Sequence, residues 1–568
     1  MRAKNRWKLA RAAIAVVLAA SGLAVVVAPA SSAPLDSAPL TAAATPAGAS
    51  IFTAIPPSRL VDTRVPVGAT PAGTPGDDGT ITVQITNRAG IPANATAVVL
   101  NVTATNTTGP GFVTAYPAGQ SLPLASNLNP ERAGQNIPNL VTVPIGAAGQ
   151  VDIYTLIQAD IIVDAFGYYT PATSARAGRY VPAGPVRAYD SRQSGGALAA
   201  GGKVNVPLDH FIDKDATAVV LNVTATDATA DGYFTVFAAG SAQPPTSNLN
   251  VVKGGTVPNQ VIVPVSKSGV DVYSFAGGDV IVDVFGYFTG NSAPVSDDGL
   301  YVPVPPTRFL DTRTDDNPLG PKQRLYADWT VEMNVIGRSS IPYGVSALVA
   351  NTTVVNTRDA GFTTVYPAGT ARPGTSNLNA TTSAQLIANH TIVPVGVRGV
   401  AFYSQKGSHI VVDVTGWYTG IPQTSSLVPP TNPTPGPPPL PTRIVVPRLG
   451  LDTGLALAYG LDDMYDYPGY LPGSGMTGVP GNMVIAGHRT SHTHPFLFIN
   501  TLQPGDEFSI YADGRYTYKV QGSVVVPGSD YNTIVAWTPQ PTVTLYACHP
   551  LGSIAERWVV KASYVGDA

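Results

Sequence analysis

The chain has a single cysteine, Cys548, among its 568 residues. One thiol cannot close a disulfide within the chain, so the stability of the fold has to come from packed cores. Charge is also scarce, because Asp, Glu, Lys and Arg make up 12% of the sequence and the formal net charge is −3. Binding to nucleic acid needs a concentrated basic face, which this composition does not supply. No nucleic-acid partner is therefore expected.

Only one apolar run approaches the length of a membrane span, and it lies near the start of the chain, from Ala12 to Ala28. The basic stretch MRAKNRWKLAR precedes it and the small residues PASSAP follow it. This order predicts a secretory signal peptide over residues 1–33, followed by a linker over 34–50. The alternative is an uncleaved membrane anchor, because about 20 apolar residues span a bilayer. In both cases we expect an exported protein, secreted or held at the cell surface or cell wall. It would meet the membrane only through this segment, and only if the segment is not cleaved.

The next 370 or so residues contain four sequence elements that each occur three times. An Arg-x-x-Asp-Thr/Ser-Arg element begins at Arg59, Arg187 and Arg308. Stretches similar to AVVLNVTAT, SNLN and IIVDAFGYYT follow it at matching offsets. The period of roughly 120 to 130 residues is long enough for a self-sufficient domain. We therefore predict three tandem repeat domains, over residues 51–172, 177–291 and 300–420.

Each repeat consists of short runs rich in β-branched residues, separated by Gly, Pro and Asn turns. The 57 Gly and 53 Pro residues of the chain fit a fold with many turns. Several runs alternate apolar and polar residues, as half-buried strands do, and no long stretch has helical periodicity. The sequence thus predicts an all-β fold in which each repeat is a β-sandwich-like domain. The repeats resemble tandem modules of large secreted actinobacterial proteins, which implies display at the cell surface.

The recurring Arg and Asp residues have two interpretations. Arg59, Asp62 and Arg64 could line a site for a carbohydrate or a carboxylate. The favoured alternative is an internal network of ion pairs that holds the first strand, a use that suits the fork of the guanidinium. A buried carboxylate with satisfied hydrogen bonds is expected, on the same reasoning, in the last strand of each repeat, at Asp164, Asp283 and Asp413.

The composition changes again near the C-terminus. Residues 421–442 are rich in Pro and predict an extended spacer. Beyond it, residues 443–568 contain four of the seven histidines and the only cysteine. The pattern predicts a strand that ends at His488, a hairpin with its turn at Asp513 and Gly514, a strand that ends at Cys548, and a strand that begins near Arg557.

These strand ends carry the groups that thiol catalysis needs. A nucleophilic thiol requires a base or a lowered pKa, a proton donor for the leaving group, and a cation or amide donors for the oxyanion. Cys548 is the candidate thiol, His488 its candidate base and proton donor, and Arg557 the candidate cation. The alternative, a buried structural cysteine, is disfavoured because a free thiol is a liability outside the cell.

The motifs TLYACHP, VIAGHRTSHTHPF and ERWVV resemble those of the sortases, and the AGHRT and CHP forms resemble class E sortases of high-GC Gram-positive bacteria. The resemblance implies a closed eight-stranded β-barrel over 443–568. It also implies that Cys548 is the nucleophile, His488 the general acid/base and Arg557 the cation that stabilises the oxyanion or positions the substrate. The expected activity is that of a cysteine transpeptidase, with endopeptidase cleavage of a sorting signal of the LPxTG or LAxTG type between Thr and Gly.

The same resemblance implies the partners. The donors would be surface proteins or pilins that carry a sorting signal, and the acceptor would be the amine of a peptidoglycan precursor or of a lysine. No cofactor is expected. The alternative is a non-catalytic surface, adhesive or wall-binding protein with a degenerate sortase-like domain.

Some neighbouring residues depart from the family pattern, and others have two alternative roles. Ala547 stands where the family usually has Thr, and His492 stands where class E members usually have Tyr, so both bear on substrate choice. Arg489 either binds a substrate carboxylate or forms a surface pair, and His549 either packs beside the nucleophile or acts directly. His492 and His494 lack a third ligand at a suitable spacing, so no metal site is expected.

Overall fold

The computed structural model describes residues 45–67, 73–314, 324–423 and 440–567, apart from 459–463, 465, 472–473, 476, 479–480, 492, 513, 537 and 539. The predicted signal peptide or anchor and most of the Pro-rich spacer lie outside the described residues. Within the part of the chain that is described, there is no helix with the length and apolar character needed to cross a membrane.

The β-branched runs of the repeats form strands, as predicted. Repeat 1 contains β1 (Ser50–Asp62), β2 (Gly79–Gln84), β3 (Ala97–Thr105), β4 (Val113–Pro117), β5 (Ile137–Pro144), β6 (Gln150–Thr155) and β7 (Asp160–Pro171). Repeat 2 contains β8 (Tyr180–Asp190), β9 (Gly202–Val206), β10 (Ala218–Thr226), β11 (Gly232–Ala238), β12 (Leu249–Val251), β13 (Val257–Pro264), β14 (Val270–Ser274) and β15 (Asp279–Phe288). Repeat 3 contains β16 (Tyr301–Asp311), β17 (Trp329–Met333), β18 (Val345–Val355), β19 (Gly361–Pro367), β20 (Leu378–Ala380), β21 (Ile387–Pro394), β22 (Val400–Ser404) and β23 (His409–Thr419).

Each repeat folds into two sheets. The larger sheets have the orders β5-β3-β7-β1, β13-β10-β15-β8 and β21-β18-β23-β16, and the first and third are joined through β1 and β16. The smaller sheets have the orders β2-β6-β4, β12-β11-β14-β9 and β17-β22-β19-β20. All nine residues of β3 and of β10 are buried, because these central strands are covered on both faces. The all-β, sandwich-like prediction for the repeats is confirmed.

The three repeats close into a ring. An asparagine in the central strand of each repeat donates its side-chain amide to a backbone carbonyl of another repeat, at 2.6–3.0 Å: Asn101 to Ser247, Asn222 to Ser376 and Asn351 to Ser126. A second asparagine of each repeat donates to the side-chain oxygen of the first, at 2.9–3.1 Å: Asn259 to Asn101, Asn389 to Asn222 and Asn139 to Asn351. The bonds run between repeats 1 and 2, 2 and 3, and 3 and 1, so each repeat contacts both others.

Six equivalent aromatic residues fill the centre of the ring, and all are buried: Phe52, Tyr180, Tyr301, Tyr169, Phe288 and Tyr418. The Tyr169 and Tyr418 hydroxyls are 2.5 Å apart. Repeats 1 and 3 have cores of their own, whereas the core of repeat 2 continues into this centre and includes residues of all three repeats. The repeats are thus parts of one packed unit, and the domain boundaries drawn from the sequence stay a prediction.

The recurring Arg and Asp residues form the predicted ion-pair network. In repeat 1, Arg59 contacts Asp164 at 2.9 Å and Asp62 at 3.3 Å, and Arg64 contacts Asp62 at 2.8 Å. Burial raises the pKa of Asp164, and the hydrogen bond from Arg59 opposes that rise. The equivalent pairs of repeats 2 and 3 are Arg187 with Asp283 at 2.6 Å and Arg308 with Asp413 at 2.9 Å.

The C-terminal segment forms a separate sheet. Its strands are β24 (Arg443–Val446), β25 (Leu451–Gly454), β26 (Ala456–Leu457), β27 (Gly469–Tyr470), β28 (Gly481–Ala486), β29 (Glu507–Tyr511), β30 (Arg515–Pro527), β31 (Pro541–His549) and β32 (Glu556–Asp567). The helical turns are the 3-10 helices Ala147–Gly149 in repeat 1, Pro447–Leu449 and Ile499–Thr501, and the helix α1 (Tyr531–Val535). The predicted hairpin is present as β29 and β30.

The sheet order is β25-β24-β29-β30-β32-β31-β28-β27-β26. Its two edge strands, β25 and β26, are consecutive in the chain, so the sheet curves round until its edges meet. The result is the near-closed β-barrel that the sequence predicts, with nine strands rather than eight among the described residues. Two of the nine are only two residues long.

Candidate active site

His488 and Cys548 are brought together by a parallel strand pair. In β28 and β31, Gly481 faces Pro541, and every residue of β28 faces the residue 60 positions later. The strand predicted to end at His488 ends at Ala486, but the Gly487 amide still donates to the Tyr546 carbonyl at 3.1 Å. In this register, the position opposite Cys548 is His488.

The neighbouring antiparallel pair brings in the arginine. Cys548 of β31 is the direct cross-strand partner of Arg557 in β32. Cys548 is partly exposed, and it is the free thiol of the chain. Cys548 and Arg557 therefore lie on adjacent strands, and His488 follows the end of β28, the strand on the other side of β31, at the same end of the sheet.

Strand alternation separates Ala547 from its neighbours. Leu545 and Ala547 belong to the core of the barrel, and Ala547 is 2% exposed. Successive side chains of a strand point to opposite faces, so Cys548 lies on the other face of the sheet. The structure therefore places Ala547 inside the barrel, away from the face that carries the thiol.

His488 is held by the loop that follows β28. Its Nδ1 lies 3.0 Å from the Ser491 hydroxyl, and its carbonyl accepts a hydrogen bond from the Phe496 amide at 3.0 Å. Ser491 was not singled out from the sequence, although its position three residues after His488 in a turn-forming segment is a usable signal.

Arg489 lies under the end of β31 instead of on the surface. It is 5% exposed, and its guanidinium donates to the Asn500 side chain at 2.6 Å and to the Leu497 carbonyl at 3.3 Å. Its Nη1 lies 3.5 Å from the Cys548 carbonyl and 3.2 Å from Nδ1 of His549. Burial lowers the pKa of Arg489, and the negative charge of an ionised Cys548 opposes that change. Of the two roles expected for Arg489, the surface pair does not fit its burial, and the guanidinium contacts the backbone carbonyl of Cys548.

Arg557 is fixed by the turn that joins β31 and β32. Its Nη1 donates to the carbonyls of Ile554 and Glu556, at 2.8 and 2.9 Å. Gly528 lies close by, since a Cβ atom there would be 3.2 Å from the same nitrogen. The guanidinium is thus held in one place near the strand end.

Of the other histidines of the domain, the structure describes His549 and His494. The His549 ring packs edge-on against Trp558 with 5.4 Å between centroids, and it lies 4.0 Å from the Glu556 carboxylate. His494 is exposed, with Nδ1 3.0 Å from the Ser491 carbonyl. His492 lies outside the described residues. No group of metal-ligating side chains is found among the residues whose placement is described.

Residues 444–565 match the family described as "Sortase domain". A curated relative is Sortase SrtE1 of Streptomyces coelicolor, which is 28% identical over 96 residues. The matched part is 15% of this chain, and it spans only 27% of the length of that relative.

Solved structures similar to this part of the chain include two sortases. One is the sortase D5 transpeptidase of Clostridium perfringens, at 29% identity, with 22% of this chain and 79% of that chain covered and a TM-score of 0.21. The other is sortase C-1 of Actinomyces oris, at 26% identity, with 22% and 72% covered and a TM-score of 0.21. The family match concerns the barrel alone, and the C-terminal domain is a sortase-family domain.

Proposed function

We propose that the C-terminal domain is a cysteine transpeptidase that cleaves a sorting signal of the LPxTG or LAxTG type between Thr and Gly. The observation that carries this proposal is the strand register, which pairs Arg557 with Cys548 and sets His488, two residues past the end of β28, level with Cys548 on its other side. Nucleophilic catalysis needs a thiol, a proton carrier and a cation within reach of one substrate carbonyl. The family match of residues 444–565 supports the same class of reaction.

In the first step, the Cys548 thiolate attacks the carbonyl carbon of the substrate threonine, and an S–C bond forms. The negative charge that develops on the carbonyl oxygen is stabilised by the Arg557 guanidinium, which the two turn carbonyls hold in place. The C–N bond to glycine then breaks, and the protonated His488 imidazole gives its proton to the departing amine.

In the second step, an acceptor amine attacks the thioester. Neutral His488 takes the proton from this amine, the S–C bond breaks, and the Cys548 thiolate is restored. Water can replace the amine, and the outcome is then hydrolysis. The acceptor is a peptidoglycan precursor or a lysine side chain, and the donors are surface proteins or pilins that carry the signal. The sortase family suggests association with the cell surface.

Arg489 and His549 act as positioning residues, because they hold the loop after β28 and the end of β31 in place. Arg489 ties the loop after β28 to the end of β31 through Asn500 and the Cys548 carbonyl. This link keeps the His488 loop close to the thiol. His549 packs on Trp558 and accepts from Arg489, so its role is to position the strand end.

The test uses the full chain and a peptide that contains LAxTG, followed by mass spectrometry. Wild-type protein should form an acyl adduct on Cys548 that a thiol-trapping reagent blocks, and it should release the glycine-containing fragment. Cys548→Ala should do neither. His488→Ala should retain the thiol but lose fragment release, because no group then protonates the leaving amine.

Thr517→Ala in β30 is a matched control, since it changes one strand residue away from these three strand ends. The proposal fails if Cys548→Ala still cleaves the peptide. It also fails if wild-type protein forms no adduct with either LPxTG or LAxTG peptides, and that result favours a surface-binding protein with a degenerate sortase-like domain.

A further inference from the structure

The three interfaces of the repeat ring are equivalent in sequence but not in structure. At two of them, the first arginine of the recurring element reaches across to the next repeat. Arg187 Nη2 donates to the Gly374 carbonyl and Arg308 Nη2 donates to the Leu124 carbonyl, both at 3.2 Å. Each carbonyl lies two residues before the serine of the SNLN element. These bonds link adjacent repeats in addition to the asparagine network.

The interface between repeats 1 and 2 lacks this closure. The equivalent carbonyl is that of Pro245. The Nη2 of Arg59 donates to Asp164 of its own repeat at 3.2 Å, as those of Arg187 and Arg308 do to Asp283 and Asp413, but it lacks the second bond to the next repeat. Among the described residues, no hydrogen bond joins Arg59 to repeat 2. A cavity of about 790 Å³ opens at this position, lined by residues of both repeats. Its volume is within the usual range for a small-molecule site, about 300–1,000 Å³.

The wall supplied by repeat 1 is cationic. Arg59, Arg64 and Arg132 line it. The first two are neutralised by Asp62 and Asp164, as described above. Arg132 is exposed, and within the described part of the chain its guanidinium has no ion-pair partner. The charge of the neighbouring Glu131, whose carboxylate accepts from the Leu386 amide, acts on Arg132 without contacting it directly. The cavity therefore offers one guanidinium that is free to make a direct pair with a single carboxylate.

The wall supplied by repeat 2 combines an aromatic ring with side-chain amides. Tyr233 lines the cavity and stacks on Phe275, with 5.1 Å between ring centroids and 10° between planes. The amides of Gln243 and Asn250 lie on the same wall, and Asn250 donates to Asn136 of repeat 1 at 2.7 Å. A fixed aromatic face packs against the C–H face of a sugar ring, and amides pair with hydroxyl groups.

We propose that this cavity binds a short acidic saccharide, with a sugar carboxylate on Arg132 and a sugar ring against Tyr233. A highly charged phosphate ligand is disfavoured, because two of the three arginines are already paired and the carboxylate of Asp231 also lines the cavity. The site is separate from the barrel and does not depend on the transpeptidase chemistry. Because Arg187 and Arg308 bond across to the next repeat at the other two interfaces, we expect one such site per chain within the described residues.

The test is calorimetric titration of the full chain with trigalacturonic acid, and in parallel with its methyl ester, which removes the charge but keeps the sugar rings. The acid should bind with one site per chain, and at least about tenfold more tightly than the ester, as expected for one charge-assisted pair. Arg132→Ala should weaken binding of the acid by at least about tenfold and leave binding of the ester unchanged. Tyr233→Leu should weaken both.

Lys267→Ala removes an exposed cation from a turn of repeat 2 that does not line the cavity, and binding should stay within about twofold of wild type. Inorganic phosphate serves as the competing anion and should not displace the acid. Equal binding of acid and ester would overturn the proposal, as would three sites per chain, displacement by phosphate, no heat at millimolar ligand, or an Arg132→Ala variant that matches Lys267→Ala.

Discussion

The repeat ring and the C-terminal barrel are both built from strands, but they use polar side chains in different ways. In the ring, Asn101, Asn259 and their equivalents are buried and make hydrogen bonds that join repeats. In the barrel, Cys548 and Arg557 stand at strand ends, where they remain partly exposed. Buried polar groups must be satisfied within the protein, so those of the ring contribute structure. Groups at a strand end that remain partly exposed are accessible to a substrate.

The first of four predictions, with the largest expected effect among them, concerns Arg557 at the open end of the barrel. If Arg557 stabilises the oxyanion as proposed, Arg557→Lys should lower kcat/KM for peptide cleavage by about 10²–10³, because an ammonium cannot reproduce a guanidinium held by two carbonyls. Stability to urea should not change. Arg443→Lys, an exposed pair with Asp452 in the same domain, is the control. A loss below threefold at Arg557 would assign the oxyanion to another group.

The second prediction tests whether the buried asparagine bonds stabilise the ring, and it concerns Asn259. Its side chain donates to Asn101 at 3.1 Å and to the Asn248 carbonyl at 2.7 Å, and it accepts from the Leu140 amide at 3.2 Å. Asn259→Ala should lower the free energy of unfolding of the ring by about 2–3 kcal/mol, because buried partners lose their bonds. Peptide cleavage by the barrel should persist at the wild-type rate.

Urea unfolding followed by tryptophan fluorescence measures the change. Asn205→Ala is the matched control, because Asn205 makes its bonds on the exposed edge of repeat 2. An Asn259→Ala variant as stable as Asn205→Ala would mean that the repeats are held together by apolar contacts alone.

The third prediction concerns His390, a buried residue of the ring that contacts Gln260 at 2.7 Å and Thr142 at 3.0 Å. Burial lowers the pKa of His390 from 6.5 to about 3. The unfolded chain therefore takes up a proton that the folded ring excludes. Stability is fully present above pH 6.5 and is lost as the pH falls toward 3, with a loss of roughly 2 kcal/mol at pH 5 from this group.

His390→Gln should remove this part of the pH dependence, because repeat 2 already carries Gln260 at the equivalent position. Unfolding free energies at pH 7 and pH 5 measure it. Identical pH slopes for variant and wild type would show that His390 is accessible to protons in the folded ring.

The smallest effect is expected for Arg64→Ala. The Arg64 side chain is 43% exposed and pairs with Asp62, which also keeps Arg59 as a partner. Exposed ion pairs contribute roughly 0–1 kcal/mol, so the free energy of unfolding should fall by less than about 1 kcal/mol. Chemical denaturation at low and high salt checks this value, and a loss above 2 kcal/mol would place Arg64 with the buried network.

Much of the local structure could be predicted from the sequence. The β-branched runs form strands, the predicted hairpin is present as β29 and β30, and the Arg59 element forms ion pairs within its repeat. The positions of Arg489 and Ala547 could not be predicted. Arg489 is buried by a loop that folds back on β31. Ala547 points into the barrel because the packing of the whole sheet decides which alternate residues of β31 face the core.

By itself, the sequence determined the strand content, the threefold repetition and the lone thiol with its candidate partners, because these follow from local period, composition and motif. The tertiary structure decided that the repeats form a ring, that one interface of the ring stays open, and that His488 faces Cys548 across a parallel register. The partners in these contacts are 60 or more residues apart in the chain. Backbone pairing over such distances is chosen by the packing of whole sheets, which no short stretch of sequence specifies.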